Sequence, residues 1–220
     1  MIKLLQKYLP FFNSLSELQQ NTLASSAYRA ECKEGKNLRS KNEECLGLVI
    51  VTIGRLRVYI TSDEGKEITL YRLPQGDISL LAASCAMPNI HFDILLEAEV
   101  DSEVIIISPS VFRQITDASL PASNYINLLL SARLSRVMCL MDQVLNQRLD
   151  SRLAALLLEE AALRQSDVIS ITQEQLANHL GTAREVVTRT LKTFRSKGWI
   201  KAERQSIKIL SAKDLQSIST

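Results

Sequence analysis

Two amphipathic patterns follow one another directly in residues 171–194. In the first, Thr172 precedes an apolar-periodic run and Gln175 follows three residues later, the spacing of a capping box at a helix start. The apolar positions that then share one helix face are Leu176, Ala177 and Leu180. Gly181 provides the residue that most easily takes the left-handed conformation at a helix end. The pattern predicts a short helix that ends at Gly181.

The second pattern restarts at Thr182, with Glu185 again three residues later. Its predicted buried stripe consists of Val187, Leu191 and Phe194. The residues on the opposite, solvent-facing side are Arg184, Glu185, Thr188, Arg189 and Lys192. Two short helices with a sharp turn between them predict a helix-turn-helix.

The chain beyond this pair predicts a small hairpin. Residues 196–198 form a turn, residues 199–202 an extended run, residues 203–206 a second turn and residues 207–209 a returning strand. Such a hairpin is a wing, so the C-terminal part is predicted to be a winged helix-turn-helix.

The N-terminal part changes its hydrophobic period. Residues 1–30 are helical in character, whereas from about residue 31 the period becomes that of strands. The alternation is clearest where Leu56, Val58 and Ile60 are interleaved with Arg55, Arg57 and Tyr59. Further short apolar runs separated by glycine turns predict a compact antiparallel barrel or roll.

A long helix is predicted beyond Pro121. Its apolar residues recur at spacings of four and three and are Leu130, Leu134, Val137, Met141 and Val144. This heptad seam is typical of helix pairing and favours a homodimer, although a helix that packs on its own domain is the alternative. Leu149 and Asp150 are predicted to form a hinge, and Ser151 to cap the next helix.

The pattern thus predicts an α+β protein in three parts. Residues 1–116 form the β-roll, a sensor domain; residues 117–148 form the dimerisation helix and hinge; residues 149–220 form the winged domain. A chain of 220 residues has room for two modest cores.

Composition is that of an ordinary soluble protein, with 46% hydrophobic and 23% charged residues, and a cytoplasmic location is expected from the two absences that follow. No apolar run is long enough to span a bilayer and the N-terminus lacks a signal-peptide pattern, so no membrane association is expected. The four cysteines are widely spread and match no zinc or disulfide spacing, which favours small packed thiols.

Charge is concentrated around the predicted winged domain, although the whole chain carries only +2. The basic residues there are Arg184, Arg189, Lys192, Arg195, Lys197, Lys201, Arg204 and Lys208. A local basic surface is the expected footprint of phosphate contact. Arg204 and Lys208 of the wing are candidate backbone contacts, and Lys201 and Thr172 are further candidate DNA contacts. Arginine can pair bidentately with guanine, and a carboxylate can accept from cytosine. Double-stranded DNA is therefore the predicted partner.

This arrangement of roll, long helix, hinge and winged domain resembles the Crp/Fnr superfamily of bacterial transcription regulators over essentially the whole chain. The most specific part is Leu176 to Gly181 followed by Arg184, Glu185 and Arg189. The resemblance implies a homodimer on a palindrome with TGTGA-type half-sites, the two arginines on guanines and the glutamate on cytosine. Thr188 is a further candidate contact, and an activator of this type would also contact RNA polymerase.

The predicted sensor departs from the pattern of cyclic-nucleotide-binding members, whose fold it otherwise shares. Gly76 and Asp77 can stand for the Gly-Glu pair of that pattern, but residues 78–87 contain no acid. The Arg-Ser pair that clamps the cyclic phosphate falls near Phe92 and Asp93. An aromatic ring and a carboxylate cannot replace a guanidinium there, which argues against cyclic AMP. Leu81 and Cys85 complete the candidate effector pocket.

Other effectors and functions stay open. The cysteine spacing does not support an iron–sulfur cluster, and haem has only Cys85 with His91 as a local candidate pair. A thiol redox sensor or an apolar metabolite pocket are further alternatives, so the effector and cofactor are unidentified. No nucleophile–base, Walker or metal motif indicates an enzyme. A protein-interaction module, whose winged domain contacts protein, is the alternative to DNA binding.

Overall fold

The computed structural model describes residues 1–38, 46–79, 94–203 and 205–219. The chain separates into two compact units. The first unit contains Met1–Ile60 and Leu70–Val137, and the second contains Thr61–Thr69 and Met138–Thr220.

The first unit begins with helical segments, as the sequence predicts. These are helix α1 (Ile2–Tyr8), a single 3₁₀ turn (Phe12–Ser14) and helix α2 (Glu17–Ser26). Ser16 caps α2 in a capping box with Gln19, because each side chain bonds the backbone N–H of the other residue.

The strands that follow form two antiparallel sheets. They are β1 (Ala27–Cys32), β2 (Leu48–Ile53), β3 (Arg55–Thr61), β4 (Glu67–Pro74), β5 (Ile78–Ser79), β6 (Ile94–Ala98) and β7 (Ser102–Ile107). One sheet has the order β1-β7-β2-β5 and the other the order β4-β3-β6. This arrangement confirms the predicted antiparallel β-roll.

The central strands β2 and β7 of the sheet β1-β7-β2-β5 are buried on both faces, where successive side chains of a strand point to opposite sides. Val49 and Val51 pack into the core of the roll. Leu48 and Ile50 pack on the opposite side with the helical segments. Two apolar layers therefore share one sheet.

Strand β3 is also buried on both faces, which corrects the expectation of a half-buried strand. Arg57 is only 6% exposed. Its guanidinium pairs with Glu97 at 2.5 Å and stacks over the Tyr59 ring at 4.1 Å. An ion pair and a stacked ring thus replace the solvent that alternation alone predicts.

The first unit ends in helix α3 (Pro109–Ala118) and the start of helix α4 (Leu120–Asn146). Pro121 lies inside the first turn of α4, where its missing N–H costs nothing, and not before the helix as predicted. At 27 residues α4 extends from the first unit into the second.

The second unit contains helix α5 (Leu149–Arg164), strand β8 (Val168–Ile169), helices α6 (Gln173–Leu180) and α7 (Arg184–Ser196), strands β9 (Ile200–Ala202) and β10 (Ile207–Ile209), and helix α8 (Ala212–Ile218). The strands form a small sheet of order β8-β10-β9. Leu153, Leu157, Leu191 and Phe194 are among the side chains that form its buried core.

The junction between α4 and α5 differs from the prediction. Helix α5 starts at Leu149, so Leu149 and Asp150 are helical and the break falls at Gln147 and Arg148. Ser151 lies inside the helix and does not cap it, since the N-cap is Arg148 without a side-chain bond. At the other end Gln165 closes α5 in the left-handed conformation, with φ of 50°.

Within the described residues, no helix combines the length and the apolar character that crossing a membrane requires.

Candidate nucleic-acid interface

Helix α6 has both of the predicted ends. Thr172 Oγ1 accepts from the Gln175 N–H at 3.1 Å, and Gln175 Oε1 accepts from the Thr172 N–H at 2.9 Å. Gly181 ends the helix at φ of 63°. This left-handed backbone conformation favours glycine, and a Cβ there would also lie 2.8 Å from Ile68 Cδ1 of the same unit, which would have to shift.

The turn between the helices corrects the predicted role of Thr182. Its N–H donates to Ala177 O at 3.1 Å, so Thr182 belongs to the hydrogen-bonded end of α6. Helix α7 instead begins after Ala183, which offers no side-chain cap. Glu185 lies in the first turn, where a carboxylate is stabilised by the helix dipole.

Helix α7 presents two chemically distinct faces. Val187, Leu191 and Phe194 are buried in the core of the unit. The exposed residues are Arg184, Glu185, Arg189 and Lys192. Within the described part of the chain, Arg184, Arg189 and Lys192 form no ion pair. Their charges on the outer face of α7 are therefore available to a partner.

Thr188 connects the two helices of the motif. Its Oγ1 lies 2.5 Å from Gln173 Oε1 and 2.9 Å from Arg184 O. The hydroxyl therefore helps to hold α7 at a set angle to the start of α6. The sequence analysis did not identify Gln173 as part of this interface. The only indication in the sequence was its position directly after the Thr172 cap.

Arg152 is a second residue that the sequence did not identify. Its Nη2 donates to Leu180 O at 2.7 Å and so joins α5 to the last turn of α6. Burial lowers the pKa of this guanidinium. A cation at the C-terminal end of a helix is favourable, so Arg152 stabilises the position of α6.

The wing follows the prediction. Strands β9 and β10 pair through Ile207↔Ala202 and Ile209↔Ile200, and Glu203 donates its N–H to Ser206 O at 2.8 Å. Lys201 is exposed and lies 3.2 Å from Glu203, a surface pair that competes weakly with other anions.

The wing carries two further basic positions. Lys208 is exposed on β10. Arg204 lies outside the described residues.

The predicted effector residues are described only in part. Asp77 pairs with Arg133 of α4 at 3.2 Å and lies 3.9 Å from Arg136. Gly76 precedes it at φ of 90° in the turn before β5. Leu81, Cys85, Phe92 and Asp93, like Cys45 and His91, lie outside the described residues.

The described cysteines do not form a site. Cys32 is buried and its thiol lies 3.1 Å from Lys36 O, while burial raises its pKa and so disfavours the reactive thiolate. Cys139 is exposed on α4. Among the described residues, no three metal-binding side chains converge.

The predicted seam of α4 is mostly open to solvent in the single chain. Leu134, Met141 and Val144 are exposed, whereas Val137 is half-buried and Leu130 packs partly on the apolar core of the first unit. The structure adds two exposed side chains that the sequence analysis missed, Met138 and Leu145. Leu134, Met138, Met141 and Leu145 also follow a four-three-four spacing, which could have been found in the sequence.

Comparison with known proteins agrees with this geometry. Residues 151–218 match the Crp-like helix-turn-helix domain, and this range runs from the first turn of α5 to the end of α8. The chain is 26% identical over 222 residues to the transcriptional regulator flp of Lacticaseibacillus casei, covering 96% of each protein.

Solved structures extend the similarity to the whole chain. A transcriptional regulator of the Crp/Fnr family from Eubacterium rectale has 41% sequence identity and a TM-score of 0.93, with 97% of this chain and 99% of that chain covered. The regulator CLP of Xanthomonas campestris shares the fold at a TM-score of 0.72 and 17% identity, over 89% of this chain and 100% of that chain. The chain therefore belongs to the Crp/Fnr family of transcription regulators, which are not enzymes, and its helix-turn-helix is a DNA-binding domain.

Proposed function

We propose that the protein acts as a homodimer on a palindrome with TGTGA-type half-sites. The observation that carries this proposal is the shared outer face of α7, on which Arg184, Glu185 and Arg189 are all exposed near the start of the helix. The first turns of a recognition helix are the part that reaches base edges in the major groove. Two guanidinium groups and one carboxylate suit guanine and cytosine respectively.

Contacts to the DNA backbone flank these residues. Gln173 at the start of α6 offers a backbone N–H group at a helix N-terminus, which favours a phosphate, and the N-cap Thr172 lies directly beside it. Lys192 and Lys201 add exposed positive charge, and Arg204 is a further candidate in the wing. Thr188 holds the two helices together and contacts the groove only secondarily.

The exposed seam of α4 supplies the dimer interface. Two recognition helices must reach major grooves about one helical turn apart, which a symmetric pair achieves. Exposed apolar side chains in a heptad spacing gain free energy when a second copy covers them.

Two further parts of the proposal concern the effector and the location of the protein. The effector binds in the roll near Asp77. Because the ligand of the winged domain is DNA, the protein acts in the cytoplasm.

Base reading is tested by fluorescence anisotropy on a TGTGA palindrome, a scrambled duplex and duplexes with single base-pair changes. Arg184→Ala and Arg189→Ala should each weaken operator binding by roughly 1–3 kcal/mol, because each removes a bidentate contact with one base. Each variant should also lose its preference at one base pair only. Lys213→Ala removes an exposed charge on α8, outside the proposed surface, and serves as the matched control.

The base-reading assignment fails if both arginine variants bind operator and scrambled DNA as the parent does. Equal losses on operator and scrambled DNA would instead assign the two arginines to phosphates.

A further inference from the structure

A short turn of the chain lies against the helix-turn-helix. Residues 61–69 run from the end of β3 into β4, and they belong to the second unit together with α6 and α7. We call residues 61–69 the hairpin segment. Its turn is closed by its own backbone, since Ser62 N–H donates to Lys66 O at 2.8 Å and Gly65 N–H donates to Ser62 O at 2.8 Å. The shape of the turn is therefore set locally.

The hairpin segment is held on the end of α6 by two neighbouring residues. Thr69 Oγ1 and His179 Nδ1 lie 2.8 Å apart, a hydrogen-bond distance. Ile68 fills the space beside Gly181, because a Cβ at Gly181 would lie 2.8 Å from Ile68 Cδ1 and 3.1 Å from Ile68 Cβ. Ile68, Thr69 and His179 are all half-buried. One hydrogen bond and one apolar contact therefore dock the segment on α6.

The docked segment lies next to the start of helix α7. Gly181 ends α6, and Arg184 begins α7 only three residues later. Consecutive Cα atoms are about 3.8 Å apart, so the Cα atoms of Gly181 and Arg184 are separated by at most about 11 Å. The contact of Ile68 with Gly181 is therefore made close to the end of the recognition helix that enters the major groove.

The hairpin segment is acidic, whereas the outer face of α7 is basic. Three acidic residues, Asp63, Glu64 and Glu67, stand against one basic residue, Lys66, which gives the segment a net charge of −2. Asp63 and Glu64 are exposed at the turn. Duplex DNA carries one negative charge about every 1.7 Å along its axis, so acidic groups held beside α7 repel it.

We propose that the hairpin segment is an autoinhibitory element of the DNA-binding domain. Docked on the end of α6, it weakens DNA binding by placing acidic charge beside α7, and tight binding requires its release. Only the undocked molecules bind DNA tightly, so the apparent affinity is reduced in proportion to their fraction. The inhibition acts on any duplex and does not depend on the TGTGA operator.

The small size of the docking contact suits an element that has to be released. Breaking its hydrogen bond costs little, because both groups can bond to water instead. Docking and DNA binding oppose each other, and this coupling is reciprocal: DNA favours release as much as docking disfavours DNA. Amide hydrogen exchange at residues 61–69 should therefore become faster when DNA saturates the protein.

The first test weakens docking without changing charge. Thr69→Val removes the hydroxyl that meets His179 and keeps the shape of the side chain. Its affinity for the TGTGA palindrome and for a scrambled duplex, measured by fluorescence anisotropy, should each rise about threefold, the effect of losing one hydrogen bond from the docked state. Amide exchange at residues 61–69 of the free protein should also be faster. Thr61→Val, an exposed position of the same segment, is the matched control and should change neither property.

The second test removes charge without touching the docking contacts. Asp63→Asn combined with Glu64→Gln should raise the affinity for both duplexes at least about twofold, because two negative charges near the DNA are lost. The gain should shrink as the salt concentration rises, since screening shortens the reach of these charges. Glu31→Gln combined with Glu34→Gln is the matched control, because it removes the same charge from exposed positions of the first unit.

Weaker DNA binding by Thr69→Val would overturn the proposal, because the docked segment would then support the DNA-binding state. Unchanged affinity together with faster exchange at residues 61–69 would also overturn it, since release would have no effect on DNA. A double variant at Asp63 and Glu64 that binds as its control pair does would reject acidic charge as the cause. Equal binding of the palindrome and the scrambled duplex by the parent rejects only the TGTGA assignment.

Discussion

Glu99 is a buried carboxylate between two arginines. Its oxygens lie 2.5 Å from Arg55 Nε and 2.8 Å from Arg72 Nε, and its side chain is 11% exposed. Burial alone would raise its pKa, but the charges and hydrogen bonds of Arg72 and Arg55 together outweigh burial and hold the pKa below its ordinary value. Glu99 therefore stabilises the fold as an anion.

This arrangement predicts a pH dependence with a definite sign. The pKa is lower in the folded state than in the unfolded chain, so the stabilisation is fully present above the unfolded value, about 4.3, and is lost as pH falls through the folded value. Glu99→Gln should reduce the free energy of unfolding at pH 7 by about 3 kcal/mol, because two buried guanidinium groups lose their anion. Its stability should also vary less with pH in the acid range, as measured by urea denaturation between pH 3 and 7.

The control is Glu31→Gln, which removes an exposed carboxylate on β1 and should leave the unfolding midpoint nearly unchanged. Equal midpoints for Glu99→Gln and the parent at pH 7 would show that the pair with the two arginines contributes no net stability.

The helix ends show which elements local patterns can predict. Thr172 and Gln175 lie in one turn, so their spacing alone identified the start of α6. Ser151 and Thr182 have similar neighbours but do not cap, because the position of each helix depends on partners far along the chain. Arg152 reaches Leu180 O over 28 residues, a relation that no local pattern contains.

The same distinction applies to sites. The exposed face of α7 follows from helical periodicity and was predicted nearly completely. Tyr71 of β4 and Arg133 of α4 are far apart in the chain but stack on each other, and their contact becomes visible only when strand and helix positions are known.

The open face of α4 makes a prediction at the scale of a helix. Met141→Asp places a charge in the apolar seam, which burial in a dimer would strongly disfavour. Sedimentation equilibrium should find the parent at twice the chain mass and the variant at the chain mass, with the same helical circular dichroism. Operator affinity should fall when dimerisation is lost, since a monomer on one half-site makes only part of the contacts.

Gln143→Asp is the matched control, because residue 143 is exposed on the opposite side of α4. A Met141→Asp variant that still sediments as a dimer would show that the interface lies elsewhere.

At the scale of the whole molecule, charge is distributed unevenly. The chain carries only +2, yet the outer face of α7 and the wing are basic. Phosphate contacts release counterions, so operator affinity should fall steeply with salt concentration.

Salt titrations can count these contacts. Lys201→Ala should weaken binding to operator and scrambled DNA equally, and should reduce the slope of log affinity against log salt by about 1. Lys213→Ala should keep the parent slope. An unchanged slope in Lys201→Ala would place the wing away from the DNA backbone.

The left-handed residue at the end of α5 has a practical consequence for protein engineering. Gln165 holds φ of 50° and donates its N–H to Ala161 O and Ala162 O, a geometry that glycine adopts without a steric penalty. Replacement by glycine keeps the turn and removes strain at a site outside the exposed face of α7 that is proposed to read bases. Such a variant offers a more robust background in which damaging changes on that face can be studied in a folded protein.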